Sequence, residues 1–254
     1  MNKANLEIAG EGADWRQGYR TDIEYTHGFY PFLNPDQLLL SCVLLGMRPP
    51  ADVVATGAAG RKLAYCDLGS GLGLSVNVMA ARDPHGQYFG VDYNPAHIEN
   101  ARSFAESAGI DNIEFIEDSF GNLDKRDLPD FDVIVVHGIM SWVNTDIHEQ
   151  IVAFLRTRLK AGGVCFISYN CTVGRGADQA LRHMLIAAQQ GVTGTPQQRV
   201  AAAIRDVSAW ADTGMAYFRL NGASLNRLQA MEKNDPIYLF HEYFGAEWTP
   251  LLLP

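Results

Sequence analysis

The sequence is short of several features that define specialised classes of protein. Its 254 residues include four cysteines, and no pair has the CxxC spacing of redox or zinc motifs. The most apolar stretch, Leu38–Met47, is too short to span a bilayer as a helix. Residues 1–10 lack the apolar centre of a signal peptide. We therefore predict a reducing cytoplasm, of bacterial type, as the location, and no association with a membrane.

Positive charge is also scarce. The chain has 20 lysine and arginine residues against 29 aspartate and glutamate residues, which gives a formal net charge of −9. Because the basic residues form no cluster, a nucleic-acid partner is not expected. No histidines, cysteines or carboxylates stand at metal-ligand spacing, so no metal site is expected either. With 47% hydrophobic residues, the chain can bury a substantial core.

Residues 61–170 alternate between short apolar runs and amphipathic segments. Helices are predicted at Leu74–Arg82, from Pro95 to Gly109, and at Ile147–Leu159. The predicted strands are Lys62–Leu68, Gln87–Asp92, Ile113–Glu117, Phe131–Val136 and Val164–Tyr169. This alternation predicts an α/β fold: a Rossmann-like, doubly wound, mostly parallel sheet with helices on both faces.

The flanking segments differ from this core. Residues 1–60 are predicted to form an N-terminal arm with one helix, which begins at Pro35 after the capping residue Asn34. Residues 61–170 form the predicted core domain, and residues 171–254 a helical appendage. In the appendage, helices are predicted at Arg175–Gln190, Pro196–Ala211 and Ala223–Lys233, and Ile237–Phe244 reads as strand-like.

A glycine-rich loop, DLGSGLG at Asp67–Gly73, joins the first strand to the first helix. Glycines let the backbone approach a ligand closely, and ligands bind beyond the carboxyl ends of parallel strands. The NAD pattern GxGxxG needs Gly or Ala where this chain has Leu74, and no P-loop GK[ST] follows. The loop therefore fits neither the NAD pattern nor a P-loop, and the alternative to a ligand site is a tight strand–helix turn.

Polar residues also follow the second and third strands. Asp92 can accept hydrogen bonds from ribose hydroxyls, and the alternative is a helix-capping or surface carboxylate. Asp118 can accept from an adenine amino group, while the Ser119 N–H reaches a ring nitrogen. Tyr93 and Phe120 either pack on the adenine faces or belong to the core.

Together, DLGSGLG, GVD at Gly90–Asp92 and EDSF at Glu117–Phe120 resemble the three cofactor motifs of class I S-adenosylmethionine-dependent methyltransferases. The resemblance covers Lys62–Tyr169. It implies S-adenosylmethionine as cofactor and S-adenosylhomocysteine as product. The residues expected to bind this cofactor are Asp67, Gly69, Ser70, Gly71, Gly73, Asp92, Tyr93, Asp118, Ser119, Phe120 and His137.

Four further segments are similar to a bacterial subgroup that carries a methyltransferase regulatory domain and includes protein lysine methyltransferases. These segments are YxxxxxPFLNPDQL from Tyr25, HGIMSWV from His137, SYN from Ser168 and FHEY from Phe240. The chain departs from the subgroup pattern after SYN, where Arg175 has no aromatic residue near it. The substrate specificity of the subgroup is therefore not transferred.

Candidate catalytic residues follow the fourth and fifth strands. His137, Tyr169 and Asn170 are expected beside the transferred methyl group, and the alternative is a structural role at the strand ends. We expect Tyr25 or Tyr30, with part of the appendage, to complete the methyl-acceptor cavity.

Three functions fit these motifs. The first is methyl transfer to a protein side chain, with lysine as one possibility, or to a small metabolite. The second is a non-catalytic S-adenosylmethionine-binding or regulatory module. The third is an aminopropyl-type transferase, although His137-Gly138 offers no acidic residue for a polyamine.

Class I methyltransferases usually add two strands after the fifth, and the sequence shows no convincing pair after Tyr169. We expect a truncated chain, or a fifth strand whose free edge is covered by the following helices or by a second copy in a homodimer. The alternative is a naturally short member whose last strands escape recognition.

Overall fold

A computed structural model describes residues 15–16, 19–20, 28–48, 63–234, 236–244 and 251. The chain divides into two compact units, Ala13–Tyr169 and Asn170–Pro254. The helices of the described residues include none that is long and apolar enough to cross a membrane. Residues 49–60 of the predicted N-terminal arm lie outside the described residues, as does Tyr25.

The first unit contains the sheet. In chain order its elements are β1 (Trp15–Arg16), β2 (Tyr19–Arg20), a 3-10 turn (Pro31–Leu33), α1 (Pro35–Leu44), β3 (Ala64–Leu68), α2 (Leu74–Arg82), β4 (Gln87–Asp92), α3 (Pro95–Ala108), β5 (Ile113–Glu117), a second 3-10 turn (Phe120–Lys125), β6 (Phe131–Val136), α4 (Thr145–Arg158) and β7 (Leu159–Ile167).

Strands β3 to β7 form one five-stranded sheet in the order β5-β4-β3-β6-β7. All four neighbouring pairs are parallel, which confirms the predicted Rossmann-like α/β fold. The order reverses at β3, so the crevice for a ligand lies beyond its carboxyl end.

The fifth strand of this sheet, β7, differs from its prediction. It begins at Leu159 rather than Val164, and its pairing with β6 is irregular near Phe131. Lys160-Ala161-Gly162-Gly163 resembles a turn in sequence, and Gly162 does adopt a positive φ of 79°. Leu159 pairs with Phe131 and Val164 pairs with Val133, so residues 160–163 form an irregularity between two paired parts of β7. Within the described residues β7 is an edge strand of this sheet.

The core of the first unit joins the N-terminal segment to the sheet. Leu33 and Leu38 pack in one cluster with Tyr65 of β3 and Val133 of β6. The Tyr65 hydroxyl donates a hydrogen bond to the Leu33 carbonyl oxygen at 3.2 Å. Helix α1 is capped by Asn34 as predicted, and Asn34 accepts from the Asp36 amide at 2.9 Å.

The second unit is helical, as predicted. Its elements are α5 (Thr172–Gln189), α6 (Pro196–Asp212), α7 (Ala216–Leu220), α8 (Gly222–Met231) and α9 (Pro236–Phe244). The strand-like interpretation of Ile237–Phe244 is wrong, because α9 is a helix that buries Leu239, Tyr243 and Phe244 against the other helices. A short apolar run fits either periodicity, and packing decides between them.

Helix α6 begins with a capping box, and removing it measures how much this local pair of hydrogen bonds stabilises the protein. The Thr195 hydroxyl accepts from the Gln198 amide, and the Gln198 side chain accepts from the Thr195 amide at 2.9 Å. Thr195→Ala should lower the free energy of unfolding by about 1 kcal/mol. Urea denaturation followed by circular dichroism measures this.

The matched control is Thr193→Ala, an exposed threonine in the preceding turn. It should change the free energy of unfolding by less than about 0.5 kcal/mol. Equal effects of the two substitutions would contradict a stabilising role for the cap.

Candidate functional site

The strand ends and the N-terminal segment line a solvent-open cleft. It is lined by the N-terminal segment, the loop after β3 and the residue after β6. These lining residues are Gly28, Tyr30, Leu33, Asp67, Gly69, Ser70, Leu72, Gly73, Leu74, Ser75 and His137. The Tyr30 amide donates to the Ser75 hydroxyl at 2.9 Å, which fixes the N-terminal segment on α2.

The loop between β3 and α2 depends on glycine for its shape and for space. Gly69, Gly71 and Gly73 have φ values of 81°, 54° and 72°. A Cβ atom on Gly69 would overlap the Ile139 side chain. At Gly69 the positive φ and the Ile139 side chain both exclude a larger residue, so glycine is required for this turn of the loop.

The Ser70 hydroxyl is a buried polar group of this loop. It has no hydrogen-bond partner among the described residues. The Ser70 amide, like that of Gly69, donates to the Val91 carbonyl oxygen, at 2.9 Å and 2.8 Å respectively. A buried hydroxyl without a partner is uncommon, and a ligand in the adjoining cleft can supply one.

Asp67 lies beneath the loop and is only 4% exposed. Burial, and to a lesser extent the negative charge of Asp92, raises the pKa of Asp67 to about 7. The side chain is therefore poised between its neutral and ionised forms near neutral pH. A cation entering the cleft would favour the ionised form.

Asp92, at the end of β4, joins the loop to the next helix. One carboxylate oxygen, Oδ2, accepts from the Gly71 amide at 2.9 Å. The other, Oδ1, accepts from the Asn94 amide at 2.9 Å and lies 3.2 Å from His97 Nδ1. Because a carboxylate oxygen can accept two hydrogen bonds, Oδ2 keeps one acceptor position as far as the described residues are concerned. His97 is not among the residues predicted from the sequence, and its place on α3 brings it to Asp92.

Asp118, after β5, is fully engaged by its own chain. Its Oδ2 accepts from Arg126 Nε and Nη2 at 2.8 Å and 2.6 Å. Its Oδ1 accepts from the Ser119 amide at 2.9 Å and the Asn122 side chain at 3.0 Å. Burial raises the pKa of Asp118, but these donors outweigh burial and the net pKa is lowered. An adenine amino group would have to replace one of them.

The aromatic residues proposed for adenine differ in exposure. Phe120 is 4% exposed and opens the second 3-10 turn, so its burial favours the core-packing alternative. Tyr93 is half-buried at the carboxyl end of β4. Its role beside adenine stays a prediction.

His137, directly after β6, has an aromatic setting. Its ring centroid lies 4.5 Å from that of Tyr30 and 5.1 Å from that of Phe32, both edge-on. Nδ1 lies 2.7 Å from the Ser168 hydroxyl. Burial lowers the pKa of His137, which favours the neutral imidazole.

The other candidate catalytic residues are not brought to the cleft wall. Tyr169 is 36% exposed and is not among the lining residues. Asn170 begins the second unit, where its carbonyl oxygen accepts from the Leu251 amide at 2.8 Å. The structure thus unites Tyr30, His137 and the glycine loop, while the roles of Tyr169 and Asn170 stay predictions.

Two proteins are similar in sequence to most of this chain. The protein sll1526 of Synechocystis sp. is 34% identical over 235 residues, which are 92% of this chain and 45% of that protein. The protein RP789 of Rickettsia prowazekii is 25% identical over 256 residues, covering 97% of this chain and 43% of its own length. The chain spans less than half the length of these relatives.

A solved structure shares the fold. PKMT2 from Rickettsia typhi, in complex with AdoHcy, superimposes with a TM-score of 0.75 at 24% identity, covering 89% of this chain and 42% of PKMT2. Residues 60–222 match the sequence pattern described as a methyltransferase domain. That match includes the whole of the sheet and the glycine loop, and it extends into the helical unit. This chain belongs to the methyltransferase-domain family.

Proposed function

We propose that the protein is an S-adenosylmethionine-dependent methyltransferase. The observation that carries the proposal is the glycine loop after β3, whose Gly71 amide is tied to the Asp92 carboxylate at the end of β4. This arrangement lies at the ligand-binding edge of a parallel sheet in a methyltransferase-family chain. The AdoHcy complex of the structurally similar PKMT2 supports the choice of cofactor.

The residues of the cleft fit the amino-acid end of this cofactor. Asp67 would hold its ammonium group, beside the loop turn that the positive φ values of Gly69 and Gly71 allow. The Ser70 hydroxyl, which lacks a partner among the described residues, offers one further hydrogen bond. These groups combine a negative charge with neutral donors.

The neighbouring strand ends would hold the nucleoside. Asp92 Oδ2 keeps an acceptor position for a ribose hydroxyl. Asp118 would accept from the adenine amino group, and the Ser119 amide would donate to a ring nitrogen. For this, a hydrogen bond that they now make within the chain would have to be replaced, either the one between them or the one from Arg126 to Asp118. Tyr93 is proposed to cover the adenine face.

Once bound, the cofactor supplies an activated methyl group on a sulfonium, so the protein chiefly has to orient the acceptor and exclude water. Tyr30, His137 and Leu33 line the cleft and would limit the access of solvent to a bound cofactor. Tyr169 and Asn170, which follow β7, are proposed to contact the acceptor.

The acceptor is proposed to be a protein side chain, with lysine as one possibility, or a small metabolite. The HGIMSWV, SYN and FHEY segments support the first, because they resemble a subgroup that includes protein lysine methyltransferases. We also propose that the protein is cytoplasmic, that it forms a homodimer and that it has no nucleic-acid partner.

The first prediction concerns cofactor affinity. S-Adenosylhomocysteine should bind in the micromolar range by isothermal titration calorimetry, and NAD should not bind. Asp92→Ala should weaken binding by about 1–3 kcal/mol, because it removes a ribose acceptor and frees the Gly71 amide. Asp111→Ala, at an exposed site between α3 and β5, is the control. NAD binding without S-adenosylhomocysteine binding would refute the assignment.

The second prediction concerns pH. The cofactor ammonium group favours ionised Asp67, which must lose its proton on binding below a pKa of about 7. The dissociation constant should therefore fall about tenfold as pH rises from about 6 to about 8. Asp67→Asn should remove this dependence, and any remainder would report another group such as His137. Binding that weakens as pH rises would contradict the role of Asp67.

The third prediction separates the candidate functions. With a tritiated-methyl cofactor and a bacterial lysate, label should pass to protein or to the small-molecule fraction. Asp92→Ala protein at the same cofactor concentration is the control for transfer at this site. Cofactor binding without any transfer would instead favour a non-catalytic binding module.

A further inference from the structure

The Ser168 hydroxyl bridges the two residues that follow β6. Ser168 Oγ lies 2.9 Å from the Gly138 amide nitrogen and 2.7 Å from His137 Nδ1. The backbone of Ser168 continues the pairing of β7 with β6, because its amide donates to the Val136 carbonyl oxygen at 3.0 Å. Ser168 is therefore placed by the sheet itself, and the position of its hydroxyl is not set by a flexible loop.

The hydrogen bonds at Ser168 distinguish the two neutral forms of His137, which carry the proton on Nδ1 or on Nε2. The Gly138 amide can only donate, so Ser168 Oγ accepts there. Ser168 keeps one O–H donor, and His137 Nδ1 is its acceptor among the described residues. If Nδ1 carried the proton, two N–H groups would meet at Oγ and the O–H would have no acceptor within this part of the chain. A proton on Nε2 satisfies all three groups.

From this geometry we infer that Ser168 holds neutral His137 with its proton on Nε2, so that His137 faces the cleft as a hydrogen-bond donor and not as a base. The acceptor is the carboxylate at the amino-acid end of the cofactor, an assignment that rests on the proposed function. Ser168 is then a positioning residue that acts through His137.

The surroundings of His137 agree with this role. Its pKa is lowered by burial, so the neutral ring prevails at neutral pH. Tyr30 and Phe32 meet the ring edge-on and restrict its rotation. With Nδ1 engaged by Ser168, Nε2 is the nitrogen left for the cleft that His137 lines.

The arrangement gives the cleft complementary polarity for an amino acid. Asp67 supplies negative charge for an ammonium group, while His137 and the Ser70 hydroxyl supply neutral hydrogen bonds for a carboxylate. It follows that His137 takes no proton from the methyl acceptor. An amine acceptor must enter already deprotonated, or lose its proton to another group or to water.

The tautomer is measured directly by nuclear magnetic resonance on the ligand-free protein. Protein labelled with ¹⁵N in its histidine rings is recorded at about pH 8 by long-range ¹H–¹⁵N correlation, which distinguishes the two neutral forms. The His137 signal, assigned by its loss in His137→Gln, should show the proton on Nε2. Ser168→Ala should give a mixture of the two forms, and Ser168→Thr should restore the single form.

A proton on Nδ1 in the wild-type spectrum would overturn the inference, whatever the variants do. The same conclusion would follow if Ser168→Ala left the single Nε2–H form unchanged. This measurement requires neither cofactor nor activity, so its outcome is separate from that of the proposed function.

The donor role is tested with two ligands that differ in the carboxylate. His137→Ala should weaken S-adenosylmethionine binding about tenfold and leave decarboxylated S-adenosylmethionine nearly unaffected. His137→Gln, whose amide donates but is not a base, should stay within about threefold of wild type for both ligands. Equal losses for both ligands in His137→Ala, or losses in His137→Gln as large as in His137→Ala, would overturn the assignment to the carboxylate.

Failure of the proposed function has a different signature. Wild-type protein that binds neither ligand would overturn the proposed function, and with it the carboxylate assignment, while the tautomer would still be decided by the spectrum. Wild-type protein that prefers the decarboxylated ligand would contradict the carboxylate assignment and favour an aminopropyl-type transferase.

Discussion

The hydrogen bond from the Gly71 amide to the Asp92 carboxylate is the interaction on which the site depends. It connects the loop after β3 to the end of β4, two strands that are neighbours in the sheet. The loop can reach Asp92 only because three glycines adopt positive φ. The opposite oxygen of Asp92 holds the start of α3 through the Asn94 amide. One carboxylate thus fixes the turn, the strand end and the following helix.

Two other carboxylates at the same edge of the sheet behave in opposite ways. Asp67 is buried beneath the loop, and its pKa rises to about 7. Asp118 is surrounded by donors from Arg126, Asn122 and Ser119, and its pKa falls. The difference follows from their surroundings, because desolvation favours the neutral acid and hydrogen-bond donors favour the anion. At neutral pH Asp118 is therefore ionised, while Asp67 is partly protonated.

Much of the sheet could be predicted because its signals are local. The bounds of β4, β5 and β6 agree with the sequence, since each is an apolar run that ends at a polar or glycine-containing turn. The start of β7 and the helical state of α9 could not be predicted, because pairing with β6 and packing among helices override ambiguous local patterns. The capping residue Asn34 acts on an amide two residues away, and it was identified correctly.

The sequence by itself determined the fold class, the glycine loop and the polar residues at the strand ends, because these depend on residue type and on spacing along one strand–turn–helix unit. Only the tertiary structure decided which donor each of these side chains meets. Arg126 reaches Asp118 around a turn, His97 reaches Asp92 from α3, and Ser168 meets His137 across two paired strands. Such partners depend on sheet register and helix placement, which arise from the packing of segments far apart in the chain.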